Sequence, residues 1–152
     1  MRTISLSVDT HLAGSRKNFT ENTFNIVATK DALVRSDYGT VNATVSGSKT
    51  SQKFTIDKNK NIVNVSNCST LTQKVQTFTS PLPLVIFACD SSNEGVILNK
   101  GGMRVYSFKL YDNGTLIRDF IPCINPSGEY GLYDVVNNQF YGNAGTGSFT
   151  GG

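Results

Sequence analysis

The chain has 152 residues, the length of one ordinary domain, with 14 basic and 11 acidic side chains scattered along it for a net charge of +3. Charged residues make up 16 %, against about 25 % in an average soluble domain, and Ser, Thr and Asn fill the gap. That balance excludes a long helical bundle, a highly charged disordered tail and a basic nucleic-acid stripe. No apolar run approaches the roughly 20 residues that cross a bilayer.

Taken in chain order, apolar and polar residues alternate with a period of two. Strands are predicted over 4–8, 24–29, 32–36, 40–45, 53–57, 61–65, 75–78 and 84–89, then 103–111, 116–121, 131–136 and 139–141. Turn signals separate them, among them residues 57–61, 80–83, 91–95 and 125–128. A single helical turn is expected at 70–74. The chain therefore reads as all-β, with many short strands in a two-sheet antiparallel β-sandwich.

The sharpest local signal is Asp112-Asn113-Gly114-Thr115. Asn-Gly between two alternating runs is the preferred two-residue hairpin loop, because both central positions need positive φ. Pairing outward from that loop sets Asp112 opposite Thr115, Leu110 opposite Ile117 and Lys109 opposite Arg118. One face then carries Tyr106, Phe108, Leu110, Ile117 and Ile121 as core. The other carries Ser107, Lys109 and Arg118, with Asp119 or Asp112 within diagonal reach of the two cations. The run Leu84-Val85-Ile86-Phe87-Ala88 is apolar at both parities and is expected to lie centrally, covered on both faces. Residues 90–102 then form a connection of about a dozen residues, a length that often carries function.

Cys68, Cys89 and Cys123 are an odd number with no C-x-x-C spacing, so three unbridged thiols are expected. The one histidine, His11, leaves a zinc site short of ligands and a Ser-His-Asp triad without context, since no G-x-S-x-G is present. Asp90-Ser91-Ser92-Asn93-Glu94 has the letters of a calcium loop and equally those of a polar turn. No catalytic residue, metal or cofactor is assigned. Sugar recognition needs flat rings for stacking and planar amides or carboxylates for hydroxyls. The residues suited to it outside the expected core are Asp37, Tyr38, Asp90, Asn93, Glu94, Asn99 and Tyr130. Residues 90–102 are expected to meet the ligand.

Residues 104–123, from Arg104-Val105-Tyr106 through the Asn113-Gly114 loop to Pro122-Cys123, carry a family resemblance that continues through Gly131-Leu132-Tyr133-Asp134 to Gly147. With 33–39, 56–61 and 83–88 they resemble the concanavalin A-like (laminin G-like) jelly-roll domains of phage tail and receptor-binding proteins, also found in bacterial surface proteins. The resemblance implies a single jelly-roll domain over 1–152. Its relatives carry an opening strand ahead of the segment that matches residues 1–14. It also implies a non-catalytic module of a virion tail, made in the host bacterial cytoplasm, that holds a bacterial cell-surface polysaccharide. Its other partners would be tail subunits or further copies of itself, with no nucleic acid and no membrane. A purely structural, decorating or oligomerising domain of the virion is the alternative, and a bacterial surface adhesin a third. Gly131-Leu132-Tyr133-Asp134 suits a corner hydrogen bond as well as a ligand contact.

Overall fold

The computed structural model describes residues 9–18, 21–31, 33–45, 55–59, 62–66, 68, 70–74, 76–80, 82–92, 95–98, 104–144 and 148–151. Among these there is no helix, and the chain is all-β. It divides into two compact units, Met1–Gly102 and Met103–Gly152. The strands expected over 4–8 and the start of that over 53–57 lie outside the described residues.

The first unit holds β1 (Thr10–Arg16), β2 (Thr23–Ala28), β3 (Val34–Gly39), β4 (Val41–Val45), β5 (Ile56–Lys58), β6 (Ile62–Val65) and β7 (Leu71–Thr72). It continues with β8 (Val85–Ile86), β9 (Ala88–Ser91) and β10 (Gly95–Leu98). One sheet runs β10-β9-β1-β2-β3-β4 with β8 also on β1, and a second runs β5-β6-β7. Val34 and Val45 of the first sheet meet Val63 and Val65 of the second in one buried cluster, with Ile26, Ile56 and Leu71 packed against it. Each such side chain contributes roughly 1.5–3 kcal/mol when fully buried. These two sheets stack face to face through β-branched residues, which suit a pleated surface.

Several expectations for this unit are corrected, and residues 76–78, expected within a strand, form none. The 84–88 run is not one central strand: Phe87 takes φ 65°, and the chain reverses there. β8 therefore pairs antiparallel with β1 while β9 pairs parallel with it, the one parallel pair among the described strands. The described part of residues 90–102 is not an open loop, because Asp90 lies inside β9 and β10 pairs with β9 from Gly95 opposite Ser91 to Leu98 opposite Ala88. No helical turn forms at 70–74; Leu71 and Thr72 pair with β6 instead. β1 is a strand that alternation did not reveal, since almost every position in it is buried on both faces.

The second unit is one antiparallel sheet, β11 (Phe108–Asp112), β12 (Thr115–Ile124), β13 (Tyr130–Asp134) and β14 (Gln139–Tyr141), in that order. Asn113 and Gly114 form the expected loop, at φ 46° and 83°, with Asp112 opposite Thr115. The register beyond it differs. A bulge between Leu110 and Tyr111 sets Leu110 opposite Arg118, Lys109 opposite Asp119 and Phe108 opposite Phe120. The slip replaces a facing pair of cations with an ion pair, Lys109 Nζ to Asp119 Oδ2 at 2.7 Å. It also turns Ile117 and Ile121 outward, 38 % and 42 % exposed, and Tyr106 is exposed as well. The core face instead carries Phe108, Phe120 and Leu132, with Tyr141 edge-on to Phe120 at 5.5 Å between centroids.

Candidate functional site

Two features of the first unit hold most of its chemistry. The first is a buried polar row across β3, β2, β1 and β9. Asn25 and Asp37 are register partners, and Asn25 Nδ2 donates to Asp37 Oδ2 at 3.2 Å. Asn25 Oδ1 accepts from the Cys89 thiol at 3.1 Å, reaching across β1 at Gly14, which has no side chain to block it. Arg35 pairs with Asp37 at 3.2 Å and with Asp9 at 3.0 Å. His11, also buried, has its pKa lowered, first by burial and then by Arg16 and Arg35, with Asp37 and Asp9 partly offsetting them. Paired in this way, a carboxylate, a carboxamide and a thiol lock neighbouring strands in register.

The second feature is Lys58 at the end of the Val34–Val63 core. Its ammonium donates to Ser36 Oγ, to the Asp37 carbonyl at 3.3 Å and to Gln73 Oε1 at 3.4 Å. It also stands 5.0 Å from the Phe24 ring centroid and 5.3 Å from that of Tyr38. Ser36 and Gln73 bond each other as well, so the acceptors are linked across the two sheets. Burial pushes the Lys58 pKa down to about 8, against the opposing pull of Asp37.

The expected sugar-binding residues fall in different surroundings. Asp37 is buried in the polar row. Tyr38, next to it and so on the opposite face of β3, is packed edge-on to Phe24 and to Phe78 at 6.3 and 5.0 Å between centroids. Asp90 is half-buried in β9, opposite Ser15. Its register places it on the Tyr38 face of the sheet, two strands from β2, and away from Asp37. Asn93, Glu94 and Asn99 lie outside the described residues.

Of the expected residues that are described, Tyr130 is the exposed aromatic within a sheet. It opens β13, opposite Ile124, and shares a face with Leu132 and with Tyr141, which lies opposite Leu132. The two tyrosines are 42 % and 37 % exposed. The Tyr141 hydroxyl donates to Gln139 Oε1 at 3.0 Å, and Gly151 passes the Tyr130 ring so closely that a Cβ there would stand 2.6 Å from it. Tyr141 was not among the expected residues; its place in the alternation of 139–141, two positions from Gln139, is the signal that finds it. Rings, an amide and adjoining apolar surface make a platform for the C–H face of a ring-shaped polyol.

At the other end of β13, Asp134 is fully buried. It accepts from the Asp119 and Val136 backbone N–H groups, each at 3.1 Å, and from Asn137 Nδ2 at 2.5 Å, with Arg118 at 3.4 Å. Burial opposes its charge, but these donors outweigh it and hold its pKa below the usual carboxylate value. This is the corner hydrogen bond the Gly131-Leu132-Tyr133-Asp134 motif suited. No disulfide joins Cys68, Cys89 and Cys123. Among the described residues no three His, Cys, Asp or Glu side chains group closely enough to hold a metal ion, and no described helix is long and apolar enough to cross a membrane. No family model matches the chain, and no curated protein or solved structure is found to match it.

Proposed function

We propose that this chain is a non-catalytic binding module that holds a bacterial cell-surface glycan, on a β-sandwich of the concanavalin A-like jelly-roll type, in a phage tail or other virion protein. The observation that carries the reading is the platform of exposed Tyr130 and Tyr141 on one sheet face, with the Gln139 carboxamide bonded to Tyr141. Flat rings take the C–H face of a pyranose, and a planar amide takes its hydroxyls. The virion setting rests on the resemblance of residues 104–123 and 131–147. Calorimetry with polysaccharide purified from the host cell wall tests it. Replacing Tyr130 and Tyr141 together with Ala removes two stacking rings at about 0.5–1.5 kcal/mol each, so binding weakens by roughly tenfold or more. Because Tyr141 also packs edge-on to Phe120, Tyr130→Ala alone, which leaves that contact in place, should weaken binding in the same direction with the circular dichroism of the parent. Undiminished binding by the double variant overturns the assignment of the platform.

A second reading, a structural or oligomerising virion domain without a ligand, is favoured by the exposed Ile121, Ile124, Val135 and Val136 of the same unit. It is supported if the chain sediments as a defined oligomer and binds no cell-wall polysaccharide.

A further inference from the structure

The Asn113-Gly114 loop has served so far only as a turn, yet it places reactive groups in the open. Both residues are exposed, and nothing stands within 4 Å of where a Cβ on Gly114 would be. In a two-residue hairpin loop the ladder bonds belong to the flanking residues, here Asp112 and Thr115, so the Gly114 N–H is left to water. Asn113 is restrained only by an exposed bond from its Nδ2 to Asp112 Oδ1 at 3.1 Å.

We propose that Asn113 is a hydrolytic deamidation site, the fastest among the described asparagines. The Gly114 backbone nitrogen, giving its proton to a base in solvent, attacks Asn113 Cγ. A new N–C bond forms, the bond from Cγ to the amide nitrogen breaks, and ammonia leaves with a solvent proton. Water then opens the cyclic imide at either carbonyl, leaving an aspartate or a β-linked isoaspartate. Glycine is what makes the attack accessible, since any side chain at 114 crowds the approach. Asn138 is the internal control. It has a similar φ of 53°, but its Oδ1 accepts from the Tyr133 hydroxyl and it is followed by Gln139, a residue held in β14. The isoaspartate lengthens the backbone by one atom, which the Asp112–Thr115 register cannot absorb, and sets a second carboxylate beside Asp112.

The test holds the whole folded chain in mildly alkaline buffer and follows each asparagine by peptide mass spectrometry. The hairpin peptide should gain the amide-to-acid mass first and contain isoaspartate, and Gly114→Ala should slow it while circular dichroism stays that of an all-β chain. Conversion of Asn138 or another described asparagine first overturns the proposal. So does a rate at Asn113 that Gly114→Ala leaves unchanged.

Discussion

In the first unit Asn25, Ser36 and Gln73 are buried and each is bonded to a residue on another strand or segment. In the second, Tyr106, Tyr111, Ile121 and Ile124 are large, apolar and exposed. Burying polar groups costs free energy unless each finds a partner, and Asn25, Ser36 and Gln73 meet that condition. Among its described residues the second unit has four strands in one sheet, with the aromatic cluster of Phe108, Phe120 and Tyr141 on one face. Ile121 lies on the face opposite to that of Phe120, whereas Ile124 and Tyr111 share the Phe120 face beyond the aromatic cluster, so both faces of this sheet leave apolar side chains as surface. The first unit is therefore sensitive to steric and pairing changes, and the second to changes in what its surface meets.

The largest effect should come from Gly14→Val. A Cβ at this position would stand 2.2 Å from Asn25 Oδ1 and 3.0 Å from Cys89. Asn25 would have to leave its place between Asp37 and Cys89, so overpacking and a broken buried bond combine to cost about 3 kcal/mol or more. Gly114→Ala meets no atom and pays only for its positive φ, about 1 kcal/mol. Urea unfolding of the two variants should separate them clearly. Similar midpoints would mean that the row across β3, β2, β1 and β9 carries no such constraint.

Lys58 comes next, and its effect depends on pH. Its folded pKa of about 8 lies below its ordinary 10.5, so between those values the unfolded chain binds the proton more strongly. Stability should thus rise with pH across that window, by at most about 1.4 kcal/mol per pH unit, and it should be lowest where Lys58 is fully charged. Residual contact with water makes about 2 kcal/mol a more reasonable total. Lys58→Met keeps a chain between Phe24 and Tyr38 and leaves Ser36 and Gln73 bonded to each other. The difference between parent and variant therefore isolates this proton from the rest of the chain's pH dependence. A difference that does not change from pH 8 to 10.5 would place Lys58 in water.

These contrasts also explain what could be read from the residues in order. The Asn113-Gly114 loop was legible because the turn demands those two residue types, and the Asp134 corner because a Gly-bracketed Tyr-Asp invites it. β2, β4, β6 and β14 were legible by alternation. β1 was not, because Thr10, Ala13, Gly14 and Ser15 are small or polar on both faces, a pattern that marks close approach only once Asn25 and Cys89 are known to be beside it. The bulge at Leu110 was hidden, as alternation carries no information on where a register slips. Phe87 at positive φ is disfavoured locally, so the break between β8 and β9 had no local signal. Of the candidate site, Tyr130 was legible and Tyr141 was not singled out. Asp37 and Tyr38 looked like surface because the residues that enclose them are distant in the chain.

The smallest effect tests the exposed side of the comparison. Ile121 faces Tyr133 across β12 and β13 and is exposed. Ile121→Thr keeps the β-branch that suits a strand, and loses only part of one cross-strand contact, so stability should change by no more than about 0.5 kcal/mol. Val63→Ala, in the closed cluster of the first unit, should cost about 2 kcal/mol for a similar loss of methyl groups. The two substitutions are compared by thermal unfolding at several protein concentrations. If Ile121→Thr costs as much as Val63→Ala, and does so only at high concentration, Ile121 is covered by another copy of the chain. The oligomerising reading then gains over the glycan-binding one. If its cost is large at every concentration, the exposure of that face is wrong for the protein in solution, since an exposed side chain has little burial to lose.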